Sequence, residues 1–204
     1  MHPNPVFHTA TDSDNLAFAR ERGFGLLSIN GPDAPIAAHV PFLLSEDGAS
    51  ADLHLMRSNP VARAATNPVS ALLALSGPDG YVSPDWYGDP SQVPTWNYVA
   101  VHLRGRLEVL ADAALAEILE RLSAAFEARL DKNPWNMEKV PADTLARMMR
   151  MIQPLRFHIE SIDGTWKLGQ NKPAGARAGA AAEIAGSIGH ELAALAGLMG
   201  NVSP

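Results

Sequence analysis

The chain has 204 residues, of which 47% are apolar and 19% are charged, so it is long and apolar enough to fold around a sizeable core. Its 16 basic and 22 acidic side chains give a net charge of −6, which offers no overall attraction for nucleic-acid phosphates. The absence of cysteine excludes disulfides, thiolate catalysis and cysteine-bound metal clusters. The sequence shows no signal-peptide pattern and no apolar run of roughly 20 residues, so we expect a cytoplasmic protein without membrane association.

The first third of the chain has the pattern of a helix followed by short strands. Thr11 is a suitable helix cap with Asp14 three positions later, and Gly23 is a suitable stop. Apolar runs separated by tight turns then predict an antiparallel sheet or barrel. The predicted elements are a helix at 11–22, strands at 24–29, 36–44 and 52–57, and a short helix at 60–66.

The middle of the chain continues the strand pattern and then changes to a helix. A strand is predicted at 69–75, whereas 76–95 is rich in Gly, Pro, Ser and Asp and predicts mostly loop. Alternation over 96–110 predicts a long strand. Asp112 is expected to cap the amphipathic helix that follows, because apolar residues recur there at helical spacing.

The last third alternates helix and strand patterns. We predict a helix at about 142–150 and a strand at 155–162 that ends at the turn Asp163-Gly164. Residues 174–200 are rich in Ala and Gly with apolar side chains at helical spacing, which predicts a helix packed on the barrel or on a partner chain. The predicted domains are 1–173 and a C-terminal helical extension at 174–204.

A candidate anion site follows the third predicted strand. Arg57 supplies a forked cationic donor and Ser58 supplies a hydroxyl. Asn59 and Pro60 predict the start of a helix, whose free N–H groups favour a bound phosphate. Arg63 adds a charge one turn further on. The alternative is an ordinary capped helix with solvated arginines, and the residues alone leave both interpretations open.

A second candidate region is the aromatic segment at 81–98. It contains all three tyrosines and two of the four tryptophans of the chain, in a stretch stiffened by prolines. Aromatic rings with polar tips suit a planar ligand or a subunit contact, although a long loop pinned by its aromatics is the alternative. Strand alternation places Trp96, Tyr98 and His102 on one face, where they are candidates to line a pocket, and Asn97 on the other.

A third candidate region follows the last predicted strand. Lys167, Gln170 and Asn171 offer donors for a phosphate, for hydroxyl groups or for the edge of a planar ring. The alternative is simply a polar strand end. No zinc-protease, nucleophile-elbow, phosphate-loop or dinucleotide-binding motif is present, and no pair of carboxylates indicates acid–base catalysis. We therefore assign no catalytic residue and no metal ligand.

Several stretches together resemble one known family. They lie at 81–87, at 93–98 with His102 and Gly105, and at 167–173. On these motifs the chain is similar, over about residues 1–180, to the PaiB family of FMN-binding negative transcriptional regulators. One departure is Gly169, where that family usually has Ser.

The resemblance implies both a fold and a cofactor. The fold would be mainly β with helices (α+β): an antiparallel split β-barrel of the FMN-binding type, with a helical excursion at about 112–150 and a C-terminal helix. In the wider group, which includes pyridoxamine-phosphate oxidases and flavin reductases, FMN binds at a homodimer interface with its phosphate near the turn after the third strand. That turn is the candidate anion site here. The predicted FMN-binding residues are Arg57, Ser58, Asn59, Arg63, Trp96, Asn97, Tyr98, His102, Lys167, Gln170 and Asn171.

Three functions are compatible with this resemblance. The first is a homodimeric FMN-binding protein with a regulatory or redox-sensing role, for which direct DNA binding is doubtful because the chain is acidic and shows no recognition helix. The second is a flavin-dependent oxidoreductase, in which the flavin supplies the chemistry. The third is a barrel that has lost the flavin and has a structural or haem-handling role.

Overall fold

The computed structural model describes residues 1–202, so the last two residues of the predicted C-terminal extension lie outside the described part of the chain. Its strands are β1 (Phe24–Ile29), β2 (Ile36–Leu44), β3 (Ser50–Met56), β4 (Val69–Val82), β5 (Thr95–Val109), β6 (Ile152–Lys167) and β7 (Gly189–His190). Its α-helices are α1 (Asp12–Arg22), α2 (Pro60–Ala64), α3 (Leu115–Glu127), α4 (Ala142–Met149), α5 (Ala174–Glu183) and α6 (Leu192–Gly200). None of these helices has the length and apolar character needed to cross a membrane.

The strands form one antiparallel sheet that closes on itself. Their hydrogen-bonded order is β1-β2-β3-β6-β5-β4-β7, and β1 also pairs with β4, which joins six of the strands into a ring. Leu26 lies opposite Ala74 across the closing pair, and Asp52 lies opposite Arg156 between β3 and β6. Closure removes the free edges that an open sheet would expose.

Alternating side chains in the strands build the core. In β2, for example, Val40 and Phe42 are buried while His39 beside them is exposed. This period of two follows from the pleat of a strand, which directs successive side chains to opposite faces. The same alternation recurs in β1 and β5.

The described chain divides into two compact units. One, here called the ring unit, consists of Leu16–Leu75 and Leu103–Ile162. The other, the terminal unit, consists of Met1–Asn15, Ser76–His102 and the part of the chain from Asp163 onward. Strands β4, β5 and β6 each contribute residues to both units.

Within the ring unit, a buried carboxylate fastens α3 to the sheet. Asp52 accepts hydrogen bonds from Arg156 on the neighbouring strand, at 2.7 and 3.1 Å, and from Arg121 on α3, at 2.5 Å. Burial alone would raise the pKa of Asp52, but the hydrogen bonds and charges of the two arginines outweigh burial and lower it. Arg121 also pairs with Glu117, at 3.3 Å, as the helical spacing of these residues favours.

Two strands of the ring unit approach each other closely at Gly105. A Cβ at this position would lie 1.8 Å from the carbonyl oxygen of His158, so a side chain there is excluded. Glycine is therefore required by the approach of β5 to β6.

Within the terminal unit, the C-terminal helices cover the distal end of β4. Asp79 and Gly80 pair with the two residues of β7, and the backbone N–H of Tyr81 donates to the carbonyl of Ile188, at 2.9 Å. Apolar side chains at 184, 195 and 199 are fully buried in the same unit. The aromatic segment is therefore ordered by contacts with the end of the chain.

Local patterns predicted several elements correctly. Helix α1 begins after Thr11, whose N–H donates to Asp14 while the N–H of Asp14 donates to the Thr11 hydroxyl, so the capping pair is confirmed. The predicted helices at 60–66 and 142–150 and the strand at 96–110 are also present, with ends shifted by at most two residues.

Four local predictions were wrong, and in each a distant partner overrides the local signal. The stretch 76–95, predicted to be mostly loop, begins as strand, because β4 runs to Val82 and pairs with β7, whereas 83–94 contain no strand, as predicted. Strand β6 continues through the predicted turn at Asp163-Gly164 to Lys167. The C-terminal helix is interrupted between α5 and α6 by β7. Asp112 does not cap α3 but begins a 3-10 turn and pairs with Arg57 instead.

Candidate functional site

Arg57 stands at the end of β3 in the ring unit and is held on three sides. Its Nε donates to the carbonyl of Arg150 at 3.1 Å, and its Nη1 donates to Oε1 of Gln153 at 2.6 Å. Its Nη2 donates to Oδ1 of Asp112 at 2.6 Å. Three of the five N–H donors of this guanidinium are thereby engaged, and two are left for an incoming acceptor. The side chain is preorganised rather than solvated at random.

The residues after Arg57 form an exposed turn that leads into α2. Asn59 caps this helix, since its Oδ1 accepts a hydrogen bond from the N–H of Val61 at 2.9 Å. Ser58 and Arg63 are both exposed. Because α2 has only five residues, its dipole is small, and the fixed charges of the arginines contribute more to anion binding than the helix start does.

In the terminal unit, β5 places its predicted site residues on opposite faces. Trp96 is 45% exposed and makes an edge contact with Tyr81, with ring centroids 6.3 Å apart. Tyr98 and His102 lie on the same face and are partly buried, and burial raises the pKa of Tyr98. Asn97 points the other way and is 1% exposed. Its Nδ2 lies 3.4 Å from the sulfur of Met199, and its Oδ1 has no hydrogen-bond partner within the described residues.

The segment after β6 uses its polar groups in different ways. The Gln170 amide forms hydrogen bonds with nearby backbone groups, since its Oε1 accepts from the N–H of Leu168 and its Nε2 donates to the carbonyl of Trp166. Lys167 donates to the hydroxyl of Thr95, while Asn171 is exposed. Gln170 therefore shapes the turn, and Lys167 and Asn171 retain donors that can reach a ligand.

The backbone conformation at Gly169, where the sequence departs from the family motif, explains why glycine occurs at this position. Its φ is +83°, in the left-handed region that glycine adopts without strain. A Cβ at this position would lie 3.5 Å from Cγ of Arg177, which is an ordinary contact distance. Serine would therefore find space but would adopt a strained backbone.

The predicted site residues divide between the two units. Arg57, Ser58, Asn59 and Arg63 belong to the ring unit. Trp96, Asn97, Tyr98, His102, Lys167, Gln170 and Asn171 belong to the terminal unit. The structure therefore gives two separate groups of candidate residues, one in each unit.

Sequence reasoning missed the partners that orient these residues. Asp112 and Gln153 hold Arg57 across 55 and 96 residues of sequence, and Thr95 holds Lys167 across 72. No local pattern links residues at such distances, because the pairing of distant strands brings them together. An exposed acidic residue such as Asp112 gives no sequence signal that distinguishes it from its neighbours.

Grooves of ligand size are present in each unit. Three in the ring unit, of about 520, 530 and 580 Å³, contain none of the predicted site residues. One in the terminal unit, of about 540 Å³, is lined by Gln170 with Trp166 and Leu168. The polar groups around Arg57 and Lys167 consequently identify the candidate site better than cavity size does.

Solved structures establish the class of fold. The chain is similar to the FAD and heme binding protein from Mycobacterium smegmatis, with 18% identity, a TM-score of 0.53, and coverage of 78% of this chain and 72% of that one. It is also similar to the flavocytochrome Anf3 from Azotobacter vinelandii, with 15% identity, a TM-score of 0.54, and coverage of 77% and 68%. The fold is an antiparallel split β-barrel, as the motifs predicted.

Sequence relatives establish the family. The model of a family described as "Putative FMN-binding domain" matches residues 1–161. The chain is also 30% identical over 171 residues to the protease synthase and sporulation protein PAI 2 of Bacillus subtilis, covering 82% of each chain. This protein therefore belongs to that FMN-binding domain family, and the PaiB-like relation inferred from its motifs is confirmed.

Proposed function

We propose that this protein binds FMN as a homodimer and has a regulatory or redox-sensing role. Membership of the FMN-binding domain family supports the cofactor. The observation that carries the proposal is the preorganised guanidinium of Arg57, which keeps two N–H donors for an incoming acceptor. Ser58 and Arg63, which follow it in the chain, are exposed. These groups fit a phosphate monoester.

The phosphate would be held by Arg57, Ser58 and Arg63. A guanidinium binds phosphate through parallel N–H donors, and its fixed orientation reduces the entropy lost on binding. Asp112 opposes this, because its carboxylate is 2.6 Å from Nη2 of Arg57 and repels an incoming anion. We expect the site to bind FMN despite this repulsion, with an affinity that Asp112 limits.

The groups proposed to meet the planar ring and the ribityl chain lie in the terminal unit. Trp96 offers an exposed aromatic surface, and Tyr98 and His102 lie on the same face of β5. Lys167 and Asn171 offer donors. Asn97 and Gln170 would act only indirectly. The amide of Asn97 is buried on the opposite face of β5, and the amide of Gln170 is hydrogen-bonded to backbone groups. Bound FMN would supply hydride or single-electron chemistry, which the side chains need only orient.

The proposed homodimer, with FMN at its interface, has a suitable surface on the ring unit. Phe24 is 54% exposed and Leu26 is 37% exposed on the outer face of β1. Across the β1–β4 pair, Leu26 lies opposite Ala74, and Ser28 lies opposite Leu72. An exposed apolar sheet face of this kind is typical of subunit contacts. Light scattering should give a dimer, and Leu26→Lys should shift it toward monomer.

The regulatory role is proposed to be indirect. With a net charge of −6 the chain has no general attraction for DNA, so a flavin-dependent contact with a partner protein or small molecule fits better. Specific binding of promoter DNA by the purified protein at physiological salt would contradict this. Steady-state oxidation of NADH or NADPH by the FMN-loaded protein would instead favour the oxidoreductase alternative.

The first experiment measures flavin binding and its dependence on the phosphate. Titration of the full chain with FMN and with riboflavin, followed by flavin absorbance and fluorescence, should show FMN binding at least about tenfold more tightly. Arg57→Glu should abolish that preference. Arg147→Glu, an exposed arginine on α4 of the same unit, is the matched control and should leave the preference unchanged.

Two results would count against these assignments. A protein that is colourless as purified and takes up neither flavin would contradict the cofactor. Equal FMN and riboflavin affinities in the wild type, or an unchanged preference in Arg57→Glu, would contradict the phosphate site alone. Asp112→Asn should change the affinity in the opposite direction. Removal of the competing carboxylate should strengthen FMN binding several-fold, by roughly 1 kcal/mol.

A further inference from the structure

Two lysines at the end of β6 are held by neutral oxygens rather than by carboxylates. Lys167 donates from Nζ to the hydroxyl of Thr95, and Lys172 donates from Nζ to Oε1 of Gln92. Both acceptors belong to the aromatic segment, and Thr95 is the first residue of β5. Both lysines therefore contact the same short segment, and the charge of Lys172 lowers the pKa of Lys167.

Lys167 is the less compensated of the two. Burial, and then the charge of Lys172, lower the pKa of the Lys167 ammonium, and no carboxylate of the described chain acts to raise it. The same ammonium is the second cause, after burial, of the lowered pKa of His2. Its other neighbour is the ring of Phe7, whose centroid is 5.9 Å from Nζ. A partly buried cation without an anionic partner is costly.

Around Lys172 the nearest carboxylate is already engaged. Asp89 accepts hydrogen bonds from the N–H and hydroxyl of Ser91 and from the side chain of Gln92, and these bonds lower the pKa of Asp89 to about 2. The charge of Lys172 is a smaller cause of that lowered pKa. Beneath the ammonium lies the ring of Tyr87, 5.3 Å from Nζ to centroid. Tyr87 is 5% exposed, and its hydroxyl has no hydrogen-bond partner within the described residues.

We infer that Lys167 and Lys172 form an oxyanion-binding site in the terminal unit, distinct from the Arg57 site of the ring unit. Two ammonium groups, neutral acceptors that an anion can replace and an unsatisfied buried hydroxyl nearby form the chemistry of such a site. Ammonium groups act as point charges and lack the planar fork of arginine, so the site suits a small molecule with a carboxylate or a phosphate group.

The inference does not depend on flavin binding. The oxyanion has two sources, the phosphate of the flavin itself or a separate carboxylate- or phosphate-bearing molecule. A separate molecule would be a second ligand of this flavin protein, and its binding could regulate the protein. Binding of the anion would offset the repulsion between the two lysines, so it should also stabilise the terminal unit.

The test is titration of the full-length, nitrogen-15-labelled protein with inorganic phosphate and with acetate, at constant ionic strength maintained by chloride. Backbone amide shifts of residues 167–172 and 92–95 should move saturably with either anion. Lys167→Met should weaken the apparent affinity at least about tenfold, as expected for the loss of one charge-assisted hydrogen bond. Lys172→Met should weaken it to a smaller extent, because the charge of Asp89 already offsets part of its own charge.

The controls separate a site from general charge effects. Lys139→Met is matched, since the Lys139 ammonium also donates to a neutral acceptor, the carbonyl of Pro134, but lies in the ring unit. It should leave the titration unchanged. The dispersion of the amide spectrum shows that each variant is folded. The inference is overturned if chloride alone produces the same shifts, if no saturation occurs, or if folded Lys167→Met titrates like the wild type.

Repeating the titration with FMN and with riboflavin identifies the source of the anion. If saturating FMN blocks phosphate binding and riboflavin does not, the site holds the flavin phosphate. If phosphate still binds in the presence of FMN, the site takes a separate molecule. Both results support the oxyanion site. The first result would count against the phosphate site at Arg57. The FMN preference that Arg57→Glu is expected to abolish is a different readout, so a failure of either proposal can be told from a failure of the other.

Discussion

Three arginines of the ring unit and three cations of the terminal unit have different kinds of partner. In the ring unit, Asp52 forms salt bridges with Arg121 and Arg156, and Asp112 forms one with Arg57. In these pairs an arginine meets a carboxylate at 2.5 to 2.7 Å, and Asp52 is almost completely buried. The Asp52 pairs fasten α3 to the sheet, whereas the Asp112 pair orients Arg57.

In the terminal unit, three cations donate to neutral oxygens instead. Lys167 and Lys172 donate to Thr95 and Gln92, and the buried Arg177 donates to the carbonyl of Val202. Such charges are stabilised less by the fold, since a neutral acceptor compensates a cation only partly. These three side chains therefore keep positive charge that their hydrogen-bond acceptors neutralise only in part, and charge of that kind is characteristic of sites that receive an anion.

Backbone constraints show a parallel contrast. Gly105 in the ring unit leaves no room for a side chain, because the carbonyl of His158 occupies the space. Gly169 in the terminal unit has room and is constrained only by its positive φ. Substitution should therefore be tolerated less at the ring-unit glycine than at the terminal-unit glycine.

The largest effect is expected from Gly105→Ala. The added Cβ would displace the carbonyl of His158 and separate β5 from β6, so the free energy of unfolding should fall by more than about 3 kcal/mol. Urea denaturation followed by circular dichroism measures this. Gly175→Ala, at a helical position with open space, is the control and should be neutral or slightly stabilising. Equal stability of the wild type and Gly105→Ala would contradict the close approach of the strands.

Asp52→Asn should have the next largest effect. The free energy of unfolding should fall by about 2 kcal/mol, because two arginines lose their charged acceptor and both are partly solvated. The lowered pKa of Asp52 means that the carboxylate stabilises the fold at pH values above the ordinary aspartate pKa. That contribution should be lost as the pH falls below about 4 and through the lowered pKa.

The pH dependence gives this prediction a second measurement. Urea denaturation between neutral and acidic pH should show a smaller acid-induced loss of stability in Asp52→Asn than in the wild type. Asp131→Asn, an exposed carboxylate of the same unit, should change stability by less than about 0.5 kcal/mol at either pH. If the two variants behave alike, the buried carboxylate does not fasten α3 as described.

Gly169→Ser should have a smaller effect. A non-glycine residue at φ of +83° costs about 1 kcal/mol, while the space beside Arg177 accepts the side chain. Thermal unfolding of Gly169→Ser and Gly169→Ala separates two contributions. Equal losses would mean that only the backbone matters, whereas a smaller loss for serine would mean that its hydroxyl gains a hydrogen bond. A loss as large as that of Gly105→Ala would remove the contrast between the two units.

Lys167→Met should have the smallest effect on stability. The substitution removes one hydrogen bond to Thr95 but also removes a partly buried ammonium without a carboxylate partner, so the change should stay within about 0.5 kcal/mol. Arg156→Met, which removes a partner of Asp52 in the ring unit, should cost clearly more. Chemical denaturation in chloride without phosphate gives the comparison. A large loss in Lys167→Met would show that this lysine is structural.

The sequence by itself determined the elements whose signals are local. The Thr11–Asp14 cap, the turns between early strands and the period of two in β5 depend on neighbouring residues, so a short stretch of sequence is enough to predict each of them. The alternation also placed Asn97 opposite Trp96 correctly. Motifs along the chain were enough to identify the family and the fold.

Tertiary structure alone decided the lengths of β4 and β6, the interruption before α6 and the partners of the candidate site residues. Strand pairing joins residues far apart in the chain, and it overrides the turn signals of Gly, Pro and Asp when a partner strand supplies the hydrogen bonds. The same pairing brings Asp112 to Arg57 but leaves Lys167 with Thr95. Whether a charge is compensated is therefore a property of the fold, since it depends on which residues the strands bring together.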